Sequence, residues 1–266
     1  VSRTETSFMQ QAEDASFTFD DHRYLSSSNM FREARLEGRD FLYEYEVYTL
    51  LARSGAETPP RANLLVRGAR PSDEELAAMP GDKAVLKIVS PTIVHKTEVG
   101  GVRIVPKTPD NVRSALRRML YEVPENYAAW IERHPDAAPL SYRGLTGQGL
   151  VAAISRDLKG VLQVQFMPPD SDAFGNELIV GLRRTREFGM VLSAGLGGTD
   201  TELYAQRFRK GQAIVAASTA LTDGEAFFEL FRQTISYKKL AGLTRGQRRI
   251  VGDDQLIECF ESFIAM

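Results

Sequence analysis

Leu86-Lys87-Ile88-Val89-Ser90-Pro91-Thr92-Ile93-Val94-His95-Lys96-Thr97-Glu98-Val99-Gly100-Gly101-Val102 is the stretch from which this chain is read. It begins inside Ala84–Val89 (AVLKIV), a short apolar run that predicts a buried strand carrying one lysine. Val102–Val105 predicts the hairpin or sheet neighbour of that strand, so the residues between form a loop. Lys87 has two readings. It snorkels to an edge of the sheet, or the sheet fixes it so that its ammonium meets a phosphate. The loop brings a second lysine, Lys96, a hydroxyl, and the adjacent glycines Gly100 and Gly101, which let backbone N–H groups approach an anion closely. His95 is either a solvated loop residue or a phosphoryl acceptor, because a neutral imidazole nitrogen is a nucleophile at neutral pH.

Upstream, Phe41, Leu42, Tyr45, Tyr48, Leu51 and Ala52 recur at helical spacing, Gly55 sits where a glycine ends a helix, and Pro59-Pro60 forces an extended exit. Leu64–Val66 is a strand candidate. Ser72-Asp73-Glu74-Glu75 is a capping box opening a helix that stops before Pro80-Gly81. Residues 1–40 are polar and lack a sustained period, which predicts a loosely docked arm. Downstream, Thr108-Pro109-Asp110 opens a helix whose apolar face is Val112, Ala115, Leu116 and Met119. Residues 121–149 predict an irregular excursion with short helical pieces. Strands are expected at Leu150–Ile154, Val161–Met167, Glu177–Arg184, Met190–Ala194, Thr199–Arg207 and Ala213–Ala217. A second capping box, Thr222-Asp223-Gly224-Glu225, leads into a helix, and a last helix starts near Asp253. Helices and strands mix throughout without an internal repeat, which predicts two α+β lobes with a cleft between them.

Composition narrows the function. The 33 Lys+Arg against 35 Asp+Glu leave a formal net charge of −2, which argues against a global nucleic-acid binder. One cysteine excludes an internal disulfide framework and a CxxC zinc site, and points to a reducing, cytoplasmic setting. Uncharged stretches such as Gln212–Thr222 fall short of the roughly 18–20 residues a membrane helix needs. No apolar signal segment follows the polar start VSRTETSF. The chain opens on Val and stops inside an expected helix, so it reads as a piece of a longer protein.

Two further stretches carry chemistry. In Val161–Gly181, an extended apolar strand (GVLQVQFM) leads to PPDSDAFGNELIVG. Free backbone groups at its end suit an adenine edge, and Glu177 suits ribose hydroxyls; an ordinary strand, loop and strand with a surface glutamate reads equally well. Between Gly181 and Gly211 stand six basic residues (Arg183, Arg184, Arg186, Arg207, Arg209, Lys210) against three acids, which suits an anionic ligand or a solvated charged face. Gly195-Leu196-Gly197-Gly198 allows close backbone approach. Asp200 and Glu202, two apart on an expected strand, put two carboxylates on one side, a plausible seat for Mg²⁺ beside phosphate oxygens.

In this order, the entry helix, LKIVSPTIVHKTEVGGV, VQFM, GNELIVG, the Arg-Arg/FG/GLGG run and YKKLAGLTRG (Tyr237–Gly246) resemble the ATP-grasp domain of NDP-forming acyl-CoA synthetases. The resemblance runs from about Phe41 to the end of the chain, and the SP-x-I-x-HK-[ST]-x-VGGV string is its most specific part. It implies an α/β ATP-grasp fold whose two α+β lobes (41–160 and 161–266) enclose ATP, or another nucleoside triphosphate, with Mg²⁺ on the phosphates. By position it assigns Lys87, with Lys96, Gly100 and Gly101 of the loop, to the phosphates. It assigns the backbone of Gln165, Phe166 and Met167 to adenine and Glu177 to the ribose. Arg184 would face phosphate, Glu202 would meet the metal, and His95 would carry the phosphoryl group. It implies an oligomeric ligase completed, in cis or in trans, by a CoA-binding and ligase module that handles the small carboxylic acid or acyl-CoA. No nucleic acid or membrane partner is implied.

Three departures stand out. Thr185 replaces an aspartate, Gln206 replaces an acid near the metal, and the excursion at 121–149 is long. Asp200 is a candidate to restore a carboxylate. The missing acids also motivate a nucleotide-binding scaffold with weakened turnover, and a third reading is an ATP-grasp ligase for another carboxylate that does not use His95.

Overall fold

A computed structural model describes residues 19–54, 59–168, 177–197, 208–209, 211–244 and 248–266. In their described residues these form two units, one built from 41–49 and 59–168, the other from 19–40, 50–54 and the residues after 168. The division therefore follows Pro168, not residue 160, because the strand at 160–165 is paired deep inside the first unit.

The first unit is a four-stranded antiparallel sheet in the order β1 (Ala62–Val66), β4 (Gly160–Gln165), β2 (Lys83–Val89), β3 (Val102–Pro106). The period-two alternation of β2 sends Leu86 and Ile88 to one face. There they pack with Val161, with Val112, Leu116, Met119, Val123 and Tyr127 of α4 (Pro109–Arg133), and with Leu150, Ala153 and Ile154 of α5 (Gly147–Asp157). The other face is covered near α2 (Glu44–Ser54), where Tyr43, Val89, Leu162 and Val164 cluster with Tyr45, Tyr48 and Val85. Strands buried on both faces read as near-continuous apolar runs, as AVLKIV does. The short helix α3 (Asp73–Ala77) opens with the capping box expected there. Glu75 N–H donates to Ser72 Oγ at 3.2 Å and Ser72 N–H donates to Glu75 Oε2 at 2.8 Å.

Three expectations are corrected. The helix begun at Pro109 continues through Pro124 to Arg133, so most of the anticipated excursion is regular structure. Its apolar positions keep helical spacing through Val123, Tyr127 and Ile131, and packing along this stripe overrides the break an interior proline favours. Leu150–Ile154 is helix, not strand. Leu150, Ala153 and Ile154 are buried while Ala152 is exposed, a period of three to four that the β-branched residues had disguised. Within the arm expected at 1–40, Phe19–Leu36 forms helix α1.

The second unit holds an antiparallel sheet ordered β5 (Leu178–Thr185), β6 (Gly189–Leu196), β7 (Ile214–Ser218). Leu192 and Ala194 of β6 face α6 (Gly224–Phe231), α7 (Ile235–Leu240) and α8 (Asp253–Ile264). Phe260 of α8 packs edge-on against Phe227 and Phe231, with ring centroids 4.9 and 5.2 Å apart. Asp223, rather than Thr222, caps α6, its Oδ1 accepting from Ala226 N–H at 2.8 Å. The strand expected at Thr199–Arg207 and the helix end expected at Gly55 lie outside the described residues.

The helical reading of α5 is checked by two substitutions. Ala153→Asp buries an unpaired charge and should lower the unfolding free energy by about 3–5 kcal/mol. Ala152→Asp should stay within about 0.5 kcal/mol in urea denaturation; a strand would make Ala152, on the side of Leu150 and Ile154, the sensitive position.

Candidate functional site

Because Leu86 and Ile88 enter the helix-packed core, Lys87 projects to the opposite face of the first sheet. Its ammonium lies 2.5 Å from Glu44 Oε1, in the first turn of α2, with the two side chains 27% and 23% exposed. The same carboxylate oxygen accepts from Tyr48 OH at 2.5 Å. Burial, then the hydrogen bond to Glu44, pushes the Tyr48 phenol well above its ordinary range. Lys96 joins this group. Burial holds its ammonium below the usual lysine range, Glu44 partly restores it, and the nearby charge of Lys87 lowers it further. Two lysines and one carboxylate thus leave a local excess of positive charge, in a setting where charge interactions are stronger than in water.

The loop after β2 is a tied structure. Ser90 Oγ accepts from the N–H groups of Thr92 and Ile93 at 3.2 and 3.4 Å. Thr92 Oγ1 lies 2.9 Å from Tyr142 OH, which donates to Asp157 Oδ2 at 2.6 Å. Burial and this acceptor raise the Tyr142 pKa. From the second half of α4, Tyr127 OH donates to the Thr92 carbonyl at 2.9 Å and Asn126 Nδ2 to the Val99 carbonyl at 3.1 Å. Ile93 and Val99 anchor the loop in the core.

The two glycines have distinct steric reasons. Gly100 has φ +71°, a left-handed conformation that side chains disfavour. At Gly101 an added Cβ would stand 2.8 Å from Ile88 Cγ2 and 2.9 Å from the Lys96 carbonyl oxygen. That closeness lets Gly101 N–H donate to Lys96 O at 2.7 Å and Ile88 N–H donate to Gly101 O at 2.8 Å, folding the loop back onto the strand. The loop N–H of Gly101 is therefore engaged within the protein, while Lys96 is positioned by the turn.

His95 stands on the outer side of this loop, its side chain 66% exposed, with Nδ1 4.0 Å from Glu98 Oε1. It borders a cavity of about 280 Å³ shared with Thr92, Val99, Tyr127 and Trp130. Glu44, Glu98, Tyr127 and Trp130 were not singled out as site residues from sequence; the acids at Glu44 and Glu98 offered no spacing signal relative to Lys87 and His95.

The sheet ladder of β4 ends at Gln165, whose N–H donates to the Arg61 carbonyl at 2.8 Å and whose Oε1 accepts from Arg61 N–H. Phe166 and Met167 lie beyond the ladder, with Lys83 Nζ 5.7 Å from the Phe166 ring centroid. In the second unit, Glu177 is exposed just before β5, and its carbonyl accepts from Gly197 N–H at 2.8 Å. Val180 and Leu182 pack toward the helices, so alternation puts Arg184 on that side and Arg183 on the other, with Gly181 and Ile179. Thr185 closes the β5–β6 turn, its Oγ1 donating to Gly189 O at 3.2 Å and accepting from Phe188 N–H at 3.1 Å. Among the described residues no cluster of three or more His, Cys, Asp or Glu could hold a metal. Asp200, Glu202 and Gln206, the residues expected near one, lie outside them.

Known proteins are similar to this chain in sequence and fold. The ATP-grasp domain family matches residues 33–133 and 147–263. The chain belongs to the ATP-grasp family. The gap in that match, 134–146, covers the two short 3₁₀ turns between α4 and α5, and so takes in only the later part of the anticipated excursion. Among relatives, the beta subunit of acetate–CoA ligase [ADP-forming] I from Pyrococcus furiosus is 29% identical over 231 residues, covering 86% of this chain and 79% of that protein. An acetate–CoA ligase [ADP-forming] from Methanocaldococcus jannaschii is 30% identical over 167 residues, 63% of this chain and only 19% of its own length. A solved structure of the dinucleotide forming acetyl-coenzyme A synthetase 1 of Ca. Korarchaeum cryptofilum, in complex with coenzyme A, Ca-AMPCP and HgCl+, superposes with a TM-score of 0.58 at 26% identity. It covers 89% of this chain and 84% of that one. In this ATP-grasp chain, no helix among the described residues is long and apolar enough to cross a membrane.

The folded-back loop has a direct steric test. Gly101→Ala should lower stability by about 1–3 kcal/mol in chemical denaturation, since the methyl meets both a packed side chain and a backbone oxygen. Gly149→Ala, where the added Cβ meets nothing within 4 Å, should instead hold or raise it by up to about 1 kcal/mol.

Proposed function

We propose that this ATP-grasp chain is the nucleotide half of an NDP-forming acyl-CoA synthetase. It would bind ATP or another nucleoside triphosphate with a divalent metal and pass the phosphoryl group through His95. The observation that carries this reading is the juxtaposition of Lys87, Lys96 and Glu44 beneath a glycine-built loop that presents an exposed histidine. Relatives named ADP-forming acetate–CoA ligases, and a similar structure bound to coenzyme A and Ca-AMPCP, support the same class. The chain matches about a fifth of the longer ligase. Acid activation and thioester formation therefore belong to a CoA-binding and ligase module in cis or in trans, and the whole enzyme is an oligomer of such parts in the cytoplasm.

In this reading Lys87 is a point charge for the phosphates, held in place by Glu44 and the sheet. Lys96 adds a second charge that becomes easier to keep once an anion arrives. The residues past the β4 ladder, Phe166 and Met167, with Gln165, border the base, and Glu177 takes the ribose. Arg184 meets the phosphates as charge builds on them. A metal would neutralise phosphate charge, held by Glu202 and Asp200. In-line transfer to an imidazole needs positioning and charge neutralisation more than covalent activation, which is what a tied loop beside two lysines supplies.

A thermal-shift titration tests the site. ATP at a hundred times its dissociation constant should stabilise the chain by about 2.7 kcal/mol, and Lys87→Ala should abolish the shift. No shift in the wild-type chain at millimolar ATP and Mg²⁺ overturns the reading, and absence of label on His95 from γ-labelled ATP in the complete enzyme overturns the phosphoryl-carrier role.

The lowered pKa of Lys96 fixes the sign of a pH effect. Phosphate binding favours the charged amine and so takes up a proton in the alkaline range. Affinity for ATP should therefore decline as pH rises through the depressed Lys96 value toward that of a free lysine. Lys96→Met should bind more weakly and lose this alkaline decline when measured by calorimetry.

A further inference from the structure

We infer that Glu98, held by Trp130, is a positioning residue that fixes the tautomer and orientation of His95. The inference rests on the reading of His95 as phosphoryl carrier. Trp130 lies on α4 between two rings. It stacks on Tyr127 at 5.7 Å and 20° and on His134 at 4.6 Å and 28°, and His134 Nδ1 is 2.9 Å from the Trp130 carbonyl. The indole plane is thereby set, and its Nε1–H donates to Glu98 Oε2 at 3.0 Å. The other oxygen of the same carboxylate, Oε1, is the atom 4.0 Å from His95 Nδ1.

That separation is longer than a hydrogen bond, and hydrogen bonds of this kind in ligand-free sites tighten when the substrate complex forms. The His95 ring borders an open cavity and is mostly exposed, so little else holds its orientation. A carboxylate facing Nδ1 favours the tautomer with the proton on Nδ1 and leaves the Nε2 lone pair free, since the partner of one ring nitrogen decides the state of the other. In the transfer, the Nε2 lone pair forms the bond to the γ-phosphorus as the bond from phosphorus to the ADP oxygen breaks. The ring proton stays on Nδ1 throughout. The phosphorylated ring then carries a positive charge, which the Glu98 carboxylate faces. The indole side chain has no polar atom besides Nε1, so its part is to aim Glu98.

The chain contains three histidines, so ¹⁵N-imidazole labelling gives three ring systems, and His95→Gln identifies the relevant one. In wild type, long-range ¹H–¹⁵N spectra at alkaline pH should show His95 with the proton on Nδ1. In Glu98→Gln the balance should move to the Nε2–H form that isolated histidine favours in water, with the melting temperature unchanged because Glu98 is on the surface. Trp130→Phe, which keeps the ring stack but loses the N–H, should move it part of the way, and Glu98→Asp should restore part of the wild-type state. In the complete enzyme, Glu98→Gln should slow labelling of His95 by roughly 10–100-fold, the range for partners that orient an imidazole, with ATP affinity unaltered. An unchanged His95 tautomer in Glu98→Gln overturns the inference. Absence of labelling in the wild type, with the tautomer responding as described, overturns the phosphoryl-carrier reading instead and leaves the orientation by Glu98 standing.

Discussion

The ion pair between Lys87 and Glu44 is the constraint around which the first unit is arranged. β2 is a central strand packed on both faces, with Leu86 and Ile88 fully buried on one and Val89 on the other. An ammonium in such a strand loses part of its hydration, and an opposite charge close by offsets that cost. Glu44 supplies that charge from the start of α2, where a carboxylate also suits the positive end of the helix dipole. Tyr48, one turn along, donates to the same oxygen and keeps the carboxylate in place. The pair thus ties a helix that arrives early in the chain to the middle of the sheet, and together with Lys96 it leaves a cationic spot that an anionic ligand can share.

The second half of α4 has a different part. Tyr127, Asn126 and Trp130 all reach the loop of residues 90–101, two by hydrogen bonds to its carbonyls and one to the side chain of Glu98. A loop carrying two glycines would otherwise sample many conformations. Here it is held at its first residues by Ser90 and Tyr142, in its middle by buried Ile93 and Val99, and at its end by Gly101 folding onto β2. Function placed on a loop needs such a scaffold beneath it. The aromatic stack Tyr127–Trp130–His134 continues the support to the end of the helix.

Thr185 shows how a departure from a family pattern finds a structural use. At this position the sequence resemblance implied an aspartate. The hydroxyl instead closes the β5–β6 turn by donating to Gly189 O and accepting from Phe188 N–H. A threonine thus serves turn geometry, while its neighbours Arg183 and Arg184 present basic side chains on opposite sides of the strand.

Much of this was legible in the sequence alone. The AVLKIV run, the capping box at Ser72, the final helix at Asp253 and the ordered string from Ser90 to Val102 carry local signals: period, cap chemistry and paired glycines. These determined the strands β2 and β3 and singled out Lys87, Lys96 and His95 as candidates, while the ATP-grasp fold followed from the resemblance of the ordered motifs to a known family. What the tertiary structure alone decided lies where local signals conflict or are silent. Pro124 argues locally for a break, yet the stripe from Val112 to Ile131 finds a continuous surface on the sheet and the helix persists. LVAAI suits a strand by propensity, and only burial of Leu150 with Ala153 and Ile154 makes it a helix. Glu44 lies 43 residues from Lys87, and Trp130 lies 32 from Glu98. No periodicity links residues so far apart, because such pairs exist only once the helices have packed onto the sheet and brought them within bonding distance.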